Sequence, residues 1–282
     1  MPDLILYHVP PSFYSQIARL GLRELGVPFL EKVVAPGPPT FESYAPWYMA
    51  LNPMGTVPTL LHGDQAVPDS EQIIRYAEAN LSEETLTPTH PLESEKMEEW
   101  IQKLGEVPIR ELSYGADNTR SLGQRVNRMR LKNLSRRKEK NPALASMYER
   151  KLEDISGFSQ RAMDPKILQA HLERVDLILD EMDHWLKSHL WLAGDSYSLA
   201  DTVWTVGVAR LRMLHLEPLT ERVHLADWYE RVRSRPSFEA ADVWERFKPE
   251  VMVKVLVKKF GPRLFLGAAG LFGVGYLILF LF

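Results

Sequence analysis

Cysteine is absent from all 282 residues, so the chain forms no disulfide, no Cys-x-x-Cys redox pair and no thiolate of its own. Any thiol chemistry must use a thiol supplied by a substrate. Neither charge is in large excess: 34 Lys and Arg face 37 Asp and Glu, with a pI near 6.3. Bulk charge therefore does not imply a nucleic-acid partner. The eight histidines show no His-Glu-x-x-His or paired-ligand spacing, so no metal site is expected. P-loop, Gly-x-Gly-x-x-Gly and Gly-x-Ser-x-Gly patterns are missing too, which removes nucleotide and acyl-transfer chemistry. The start, MPDLILYHVPPSF, lacks a basic stretch leading into a long apolar one, so no secretory or transit leader is expected.

What is present suffices for two domains. The apolar run LILYH has strand length, and 15–25 (SQIARLGLREL) carries apolar residues at helical spacing before Gly26 and Pro28. A second strand is predicted over 29–34, a hairpin around His62-Gly63-Asp64, and a helix over 70–80. The order βαβ then ββα makes a compact unit, with its first two strands parallel through a right-handed crossover. From His90 onward no strand pattern appears. Residues 166–190 put Leu168, Leu172, Val175, Ile178, Leu179, Met182 and Leu186 on one stripe, and 201–214 and 225–232 continue likewise. Ser198 and Asp201 have capping-box spacing at the start of a core helix.

Two stretches stand apart. Residues 119–140 hold nine Lys or Arg against the single Glu139. This reads either as a solvated helix or, with Leu122, Val126, Met129 and Leu134 interleaved, as a surface for anionic lipid, where each cation contributes about 1 kcal/mol. Arg125, Arg128 and Arg130 would make that contact. Residues 264–282 carry no charge, and as a helix they would span roughly 28 Å. With Lys258, Lys259 and Arg263 before it, this tail is expected to be one membrane-spanning helix that leaves the preceding chain in the cytosol.

Three short patterns offer backbone, amide and hydroxyl groups to a ligand. A cis bond at Val57-Pro58 would expose the Val57 backbone for an added strand, although the proline also serves simply to shape a turn. Asp69 and Ser70 sit at a helix amino-terminus, where free amides and the dipole favour a carboxylate. Asp69 with Gln72 equally reads as a capping pair. Ser12, just before a helix, either donates to a thiol and favours its thiolate or only caps the helix.

LYHVPPSFYSQIAR, LNPMGTVPTL, PDSEQII and GDSYSLADTVW resemble segments of the cytosolic glutathione transferase family, over residues 3 to about 245. The resemblance implies an α/β plus all-α architecture: a thioredoxin-like domain over 1–82 and a helical domain over 90–245 with a basic insert at about 105–165. A basic juxtamembrane segment over 246–263 and the tail over 264–282 complete it. It implies glutathione as substrate or ligand, held by Thr56, Val57, Pro58, Asp69 and Ser70. It also implies Ser12 as the thiolate-stabilising hydroxyl, with Tyr14 and Ser15 as alternatives. Ser12, Ser15 and Arg19 fit the serine-type pattern. Thr56 departs from it, since active enzymes often carry lysine there.

Within that family the chain is most similar to the ganglioside-induced differentiation-associated branch, on LYHVPPSFYSQIARL, KNLSRRKEKNPALASMYERKLED and LAGDSYSLADTVW. That branch implies a tail-anchored protein of the mitochondrial outer membrane, with peroxisome and endoplasmic reticulum as alternatives. It also implies a role in mitochondrial fission and redox handling, with weak glutathione conjugation. The alternative is an active membrane-bound transferase working on hydrophobic electrophiles. A homodimer is compatible with either.

Overall fold

The computed structural model describes residues 4–115 and 120–261. Strand β1 (Leu4–His8) alternates buried and half-buried residues and leads into helix α1 (Phe13–Glu24). Gly26, at φ +64°, ends α1 in a Schellman turn, with Val27 N–H bonded to the Leu22 carbonyl and Gly26 N–H to that of Arg23. Strand β2 (Leu30–Val33) returns parallel to β1. A short helix α2 (Pro46–Leu51), the antiparallel strands β3 (Thr59–His62) and β4 (Gln65–Pro68), and helix α3 (Ser70–Asn80) complete a sheet ordered β2-β1-β3-β4. Helices α1 and α3 pack together, and Gly21 lets them approach so closely that a Cβ there would lie 2.4 Å from Ile74.

The rest is helical: α4 (Pro91–Glu106), α5 (Ile109–Gly115), α6 (Arg120–Lys140), α7 (Ala145–Met163), α8 (Pro165–Leu186), α9 (Leu199–Met213), α10 (Val223–Arg233), α11 (Pro236–Ala240) and α12 (Pro249–Phe260). One apolar core runs through both parts, joining Leu6, Leu20 and Ile74 to Trp100, Ile178 and Trp204. The capping box at Ser198 and Asp201 forms and starts the buried helix α9. Asp201 is fully buried and accepts from Leu192 N–H (3.0 Å), Trp228 Nε1–H (2.8 Å), and both the amide and hydroxyl of Ser198 (2.9 Å each). It thus ties three segments together.

The fold corrects two expectations. No helix among the described residues is long and apolar enough to cross a membrane, so the expected transmembrane helix and the membrane as partner through it are withdrawn. Residues 264–282, like Arg263, lie outside the described residues. The apolar stripe of the basic segment is also covered by protein. Val126 and Leu134 are buried, and Leu134 shares a small core with Phe41, Tyr44, Met49, Tyr148 and Ile155. Helices α6 and α7 form a hairpin that grips the loop before α2: Tyr148 O–H donates to the Tyr44 carbonyl at 2.9 Å, and Arg137 donates to the Thr40 carbonyl at 3.1 Å. A stripe at helical spacing reads alike whether its cover is lipid or protein.

Candidate active site

The turn between β1 and α1 is held from several sides. Val9 N–H donates to Ser15 Oγ at 3.5 Å, and the Pro10 carbonyl accepts from Arg19 at 3.1 Å. The Pro11 carbonyl accepts from Gln16 Nε2 at 3.3 Å and from the Arg210 guanidinium. Arg19 further donates to the carbonyls of Ala241 (2.8 Å) and Asp242 (3.2 Å), fastening the turn to the segment before α12. Its remaining nitrogen meets His8 Nδ1 at 3.0 Å, while His8 Nε2 lies 3.0 Å from Glu31. A neutral His8 with its proton on Nε2 satisfies both contacts. Burial lowers the His8 pKa, the bond to Glu31 opposes this, and the Arg19 charge lowers it further.

Within this frame Ser12 is half-buried and caps α1, its Oγ accepting the Ser15 amide at 3.3 Å. Capping occupies an oxygen lone pair and leaves the hydroxyl proton available to an outside acceptor. The two readings of Ser12 in the sequence are therefore compatible. Its side chain lines a cavity of about 270 Å³. Tyr14, half exposed, lines the same cavity, whereas Ser15 is fully buried and its oxygen is spent on Val9. Of the three candidate residues, Ser12 and Tyr14 line the cavity.

Thr56 and Val57 form the opposite wall. The Thr56 carbonyl accepts from Tyr48 O–H (2.6 Å) and Asn52 Nδ2 (3.0 Å), which fixes the loop. Burial raises the Tyr48 pKa, so this hydroxyl stays a neutral donor. The Val57-Pro58 bond is cis. Val57 N–H and C=O enter none of the turn and loop backbone bonds among the described residues, leaving an edge on which an extended peptide can add. Pro58 is buried behind Val57.

Asp69 and Ser70 line a second hollow of about 120 Å³, which shares Phe13 and Tyr14 with the first. Asp69 Oδ1 accepts the amides of Glu71 (3.0 Å) and Gln72 (3.2 Å), capping α3, and its other oxygen has no hydrogen bond among the described residues. Its backbone sits at φ +72°, ψ 135°, a region that residues with a Cβ rarely occupy. No sequence pattern announced that conformation. Ser70 is buried beside it.

The helical part supplies a wall of which sequence reasoning named only Arg130 of α6, and that as a lipid contact: Arg110, Ser113 and Tyr114 of α5, Lys151 and Ile155 of α7 and Arg210 of α9 join it, with Tyr44 from the facing loop. Arg130 is 5% exposed and bonds the Tyr114 hydroxyl, so it faces this interior rather than an outer surface. Arg125, Arg128 and Lys258 are exposed, while Lys259 pairs with Glu42 and the Val33 carbonyl. No group of His, Asp or Glu arranged to hold a metal occurs among the described residues.

Models of the glutathione S-transferase N-terminal and C-terminal domains match residues 11–80 and 142–236. The tetrachloro-p-hydroquinone reductive dehalogenase of Sphingobium chlorophenolicum is 33% identical over 88% of this chain and 99% of its own length. The chain belongs to the glutathione S-transferase family. The ganglioside-induced differentiation-associated protein 1-like 1 of Homo sapiens is also related, at 26% identity over 97% of this chain and 85% of its own length. Because the dehalogenase exceeds it in identity, the relationship to that branch stands without priority. Nothing here supports the expected mitochondrial or fission role. Among solved structures, the beta-etherase of Sphingobium sp. strain SYK-6 superposes with a TM-score of 0.66 at 21% identity, over 85% of this chain and 98% of that one, which bears on fold alone.

Proposed function

We propose that this chain is a glutathione-dependent transferase that directs the glutathione thiolate at an electrophilic carbon. The observation carrying this reading is the Ser12 hydroxyl, fixed as a cap through its oxygen and opening with Val57 onto one cavity. The tripeptide lies along Val57 as an added strand, its γ-glutamyl end reaching Asp69 and Ser70 at the amino-terminus of α3. Asp69, through its oxygen not used in capping, accepts from the ammonium, and Ser70 takes the carboxylate through its own amide and hydroxyl. Ser12 O–H donates to the sulfur and lowers its pKa, which raises the fraction of reactive thiolate. Sulfur then forms a bond to the electrophilic carbon. The leaving group departs with its bonding pair, and the thiol proton goes to solvent. The family supplies glutathione as substrate or ligand, and one relative is named as a reductive dehalogenase of a chlorinated hydroquinone, which supports a halogenated ring as the kind of electrophile.

The test is the ultraviolet absorbance of the thiolate as pH is varied with glutathione bound. A thiol pKa one to two units below that of free glutathione in the wild type, and not in Ser12→Ala, supports this reading. An unshifted thiol refutes it.

A further inference from the structure

Pro10 and Pro11 carry no backbone N–H, so at these two positions the turn that delivers Ser12 can be held only through its carbonyls. Two buried side chains near the start of α1 take hold there. Arg19 donates to the Pro10 carbonyl at 3.1 Å, and Gln16 Nε2 donates to the Pro11 carbonyl at 3.3 Å. Both side chains also reach one distant segment. Gln16 Oε1 accepts the Trp244 amide at 2.6 Å, 228 positions along the chain, while Arg19 donates to the carbonyls of Ala241 at 2.8 Å and Asp242 at 3.2 Å. The Pro11 carbonyl accepts from Arg210 as well, but Gln16 is the donor that joins it to residues 241–244.

That segment is itself firmly placed. Ala241, Val243 and Trp244 are buried. Asp242 adopts φ +49°, a left-handed backbone that Asp tolerates better than most residues. Its carboxylate accepts from Trp244 Nε1–H at 2.8 Å and from Lys248 at 2.6 Å. Just before it in the chain, Arg235 pairs with Glu24 through two bonds of 2.8 and 2.6 Å. The segment thus meets the last turn of α1 at Glu24 and runs back along the helix to Arg19 and Gln16, beside the turn. None of residues 241–244 lines the Ser12 cavity.

We propose that residues 241–244 set the catalytic geometry from outside the cavity: Gln16 and Arg19 are positioning residues that place the Ser12 hydroxyl against the glutathione sulfur according to where this segment sits. The proposal rests on the transferase reading for the role of Ser12; the coupling of the segment to the turn does not need it. A hydroxyl acting through one hydrogen bond is sensitive to small displacements, because the bond weakens steeply as its angle and length depart from ideal. Loosening the segment therefore raises the pKa of the bound thiol and lowers kcat, while Val57, Asp69 and Ser70 keep the tripeptide in place.

Two variants of the full chain test this from opposite ends. Gln16→Leu removes the bridge itself, and Asp242→Ala removes the side-chain bonds that hold the segment while touching neither the turn nor the cavity. Three readings are taken: thiolate absorbance of bound glutathione against pH, steady-state kinetics with 1-chloro-2,4-dinitrobenzene, and amide exchange over residues 9–16. In both variants the bound thiol pKa is expected to rise by about half a unit or more, with kcat down about fivefold or more and KM for glutathione within about twofold. Exchange at residues 12–16 is expected to quicken. Should Gln16→Leu fail to fold, Asp242→Ala gives the result alone. Variants that melt at lower temperature yet keep the wild-type thiol pKa, kcat and turn exchange overturn the proposal, since the segment then serves stability only. Weaker glutathione binding with an unchanged bound-thiol pKa overturns it too. If the wild-type chain leaves the thiol unshifted, the transferase reading falls, and turn exchange in Asp242→Ala decides the coupling: quickened exchange upholds it and unchanged exchange refutes it.

Discussion

The Ser15 amide donates to Ser12 Oγ at 3.3 Å, and the Ser15 hydroxyl in turn accepts from the amide of Val9 at 3.5 Å. Three residues apart, these two serines divide one task. Ser15 is buried and holds the turn, while Ser12 caps α1 and keeps its proton for the cavity. Ser12→Ala should therefore lower kcat by about ten- to a hundredfold, the worth of one hydrogen bond to a charged group. Glutathione affinity should change much less. Thermal denaturation should show a separate loss of about 1 kcal/mol from the missing cap. Steady-state kinetics alongside melting separates the two effects.

The grip of the α6–α7 hairpin on the loop before α2 is checked by Tyr148→Phe. Removing this hydroxyl leaves the buried Tyr44 carbonyl without that donor, at a cost of about 1–3 kcal/mol. Faster amide exchange across residues 40–45, with α9 unaffected, is the expected pattern. Exchange unchanged in that loop would show that the hairpin does not restrain it.

How much of this was legible in the sequence follows from where each signal resides. The helix over 70–80 and the Ser198–Asp201 box are local patterns, read from a few consecutive residues, and both appear as expected. Ser12, Thr56, Val57, Asp69 and Ser70 were named from short, contiguous motifs, and the structure sets them along two adjoining hollows. Arg110, Lys151 and Arg210 were not, because they come from three helices that only tertiary packing brings to one cavity. Arg130 was seen and misplaced. Charge interleaved with apolar residues does not say which face is covered, and here α7 and the 41–49 stretch cover it. The φ of Asp69 had no signal, since the chain there carries an ordinary capping residue.

Stability should depend on pH through His8. Its folded pKa lies below 6.5, mainly because of burial, so the unfolded chain takes up that proton first. The stability linked to His8 is then full above about pH 6.5 and declines as pH falls from there toward the lowered folded value. Glu31, held down by its bond to His8, adds a loss at more acidic pH by the same sign. Melting temperatures of the wild type and of His8→Gln from pH 8 to 5 test this. The wild type should lose stability more steeply below about 6.5, and parallel curves would contradict it.

Asp201 acts in the opposite sense. Burial pushes its pKa up to about 6, against the opposing pull of its four donors. Because the folded form holds this proton more tightly than the unfolded chain, its contribution is present below about pH 4 and lost as pH rises through 6. Asp201→Asn should flatten that dependence. It should also cost about 1 kcal/mol at both pH values through a weakened cap of α9. Denaturant titration at pH 5 and pH 7 reads both effects.

The central claim is that Val57, Asp69 and Ser70 form a working glutathione site, and titration of reduced glutathione into the full chain by calorimetry tests it most directly. The account predicts binding at millimolar affinity or better, weakened about tenfold or more in Asp69→Ala and in Ser70→Ala. No heat and no thermal stabilisation at high glutathione, in a chain that melts cooperatively, would contradict it.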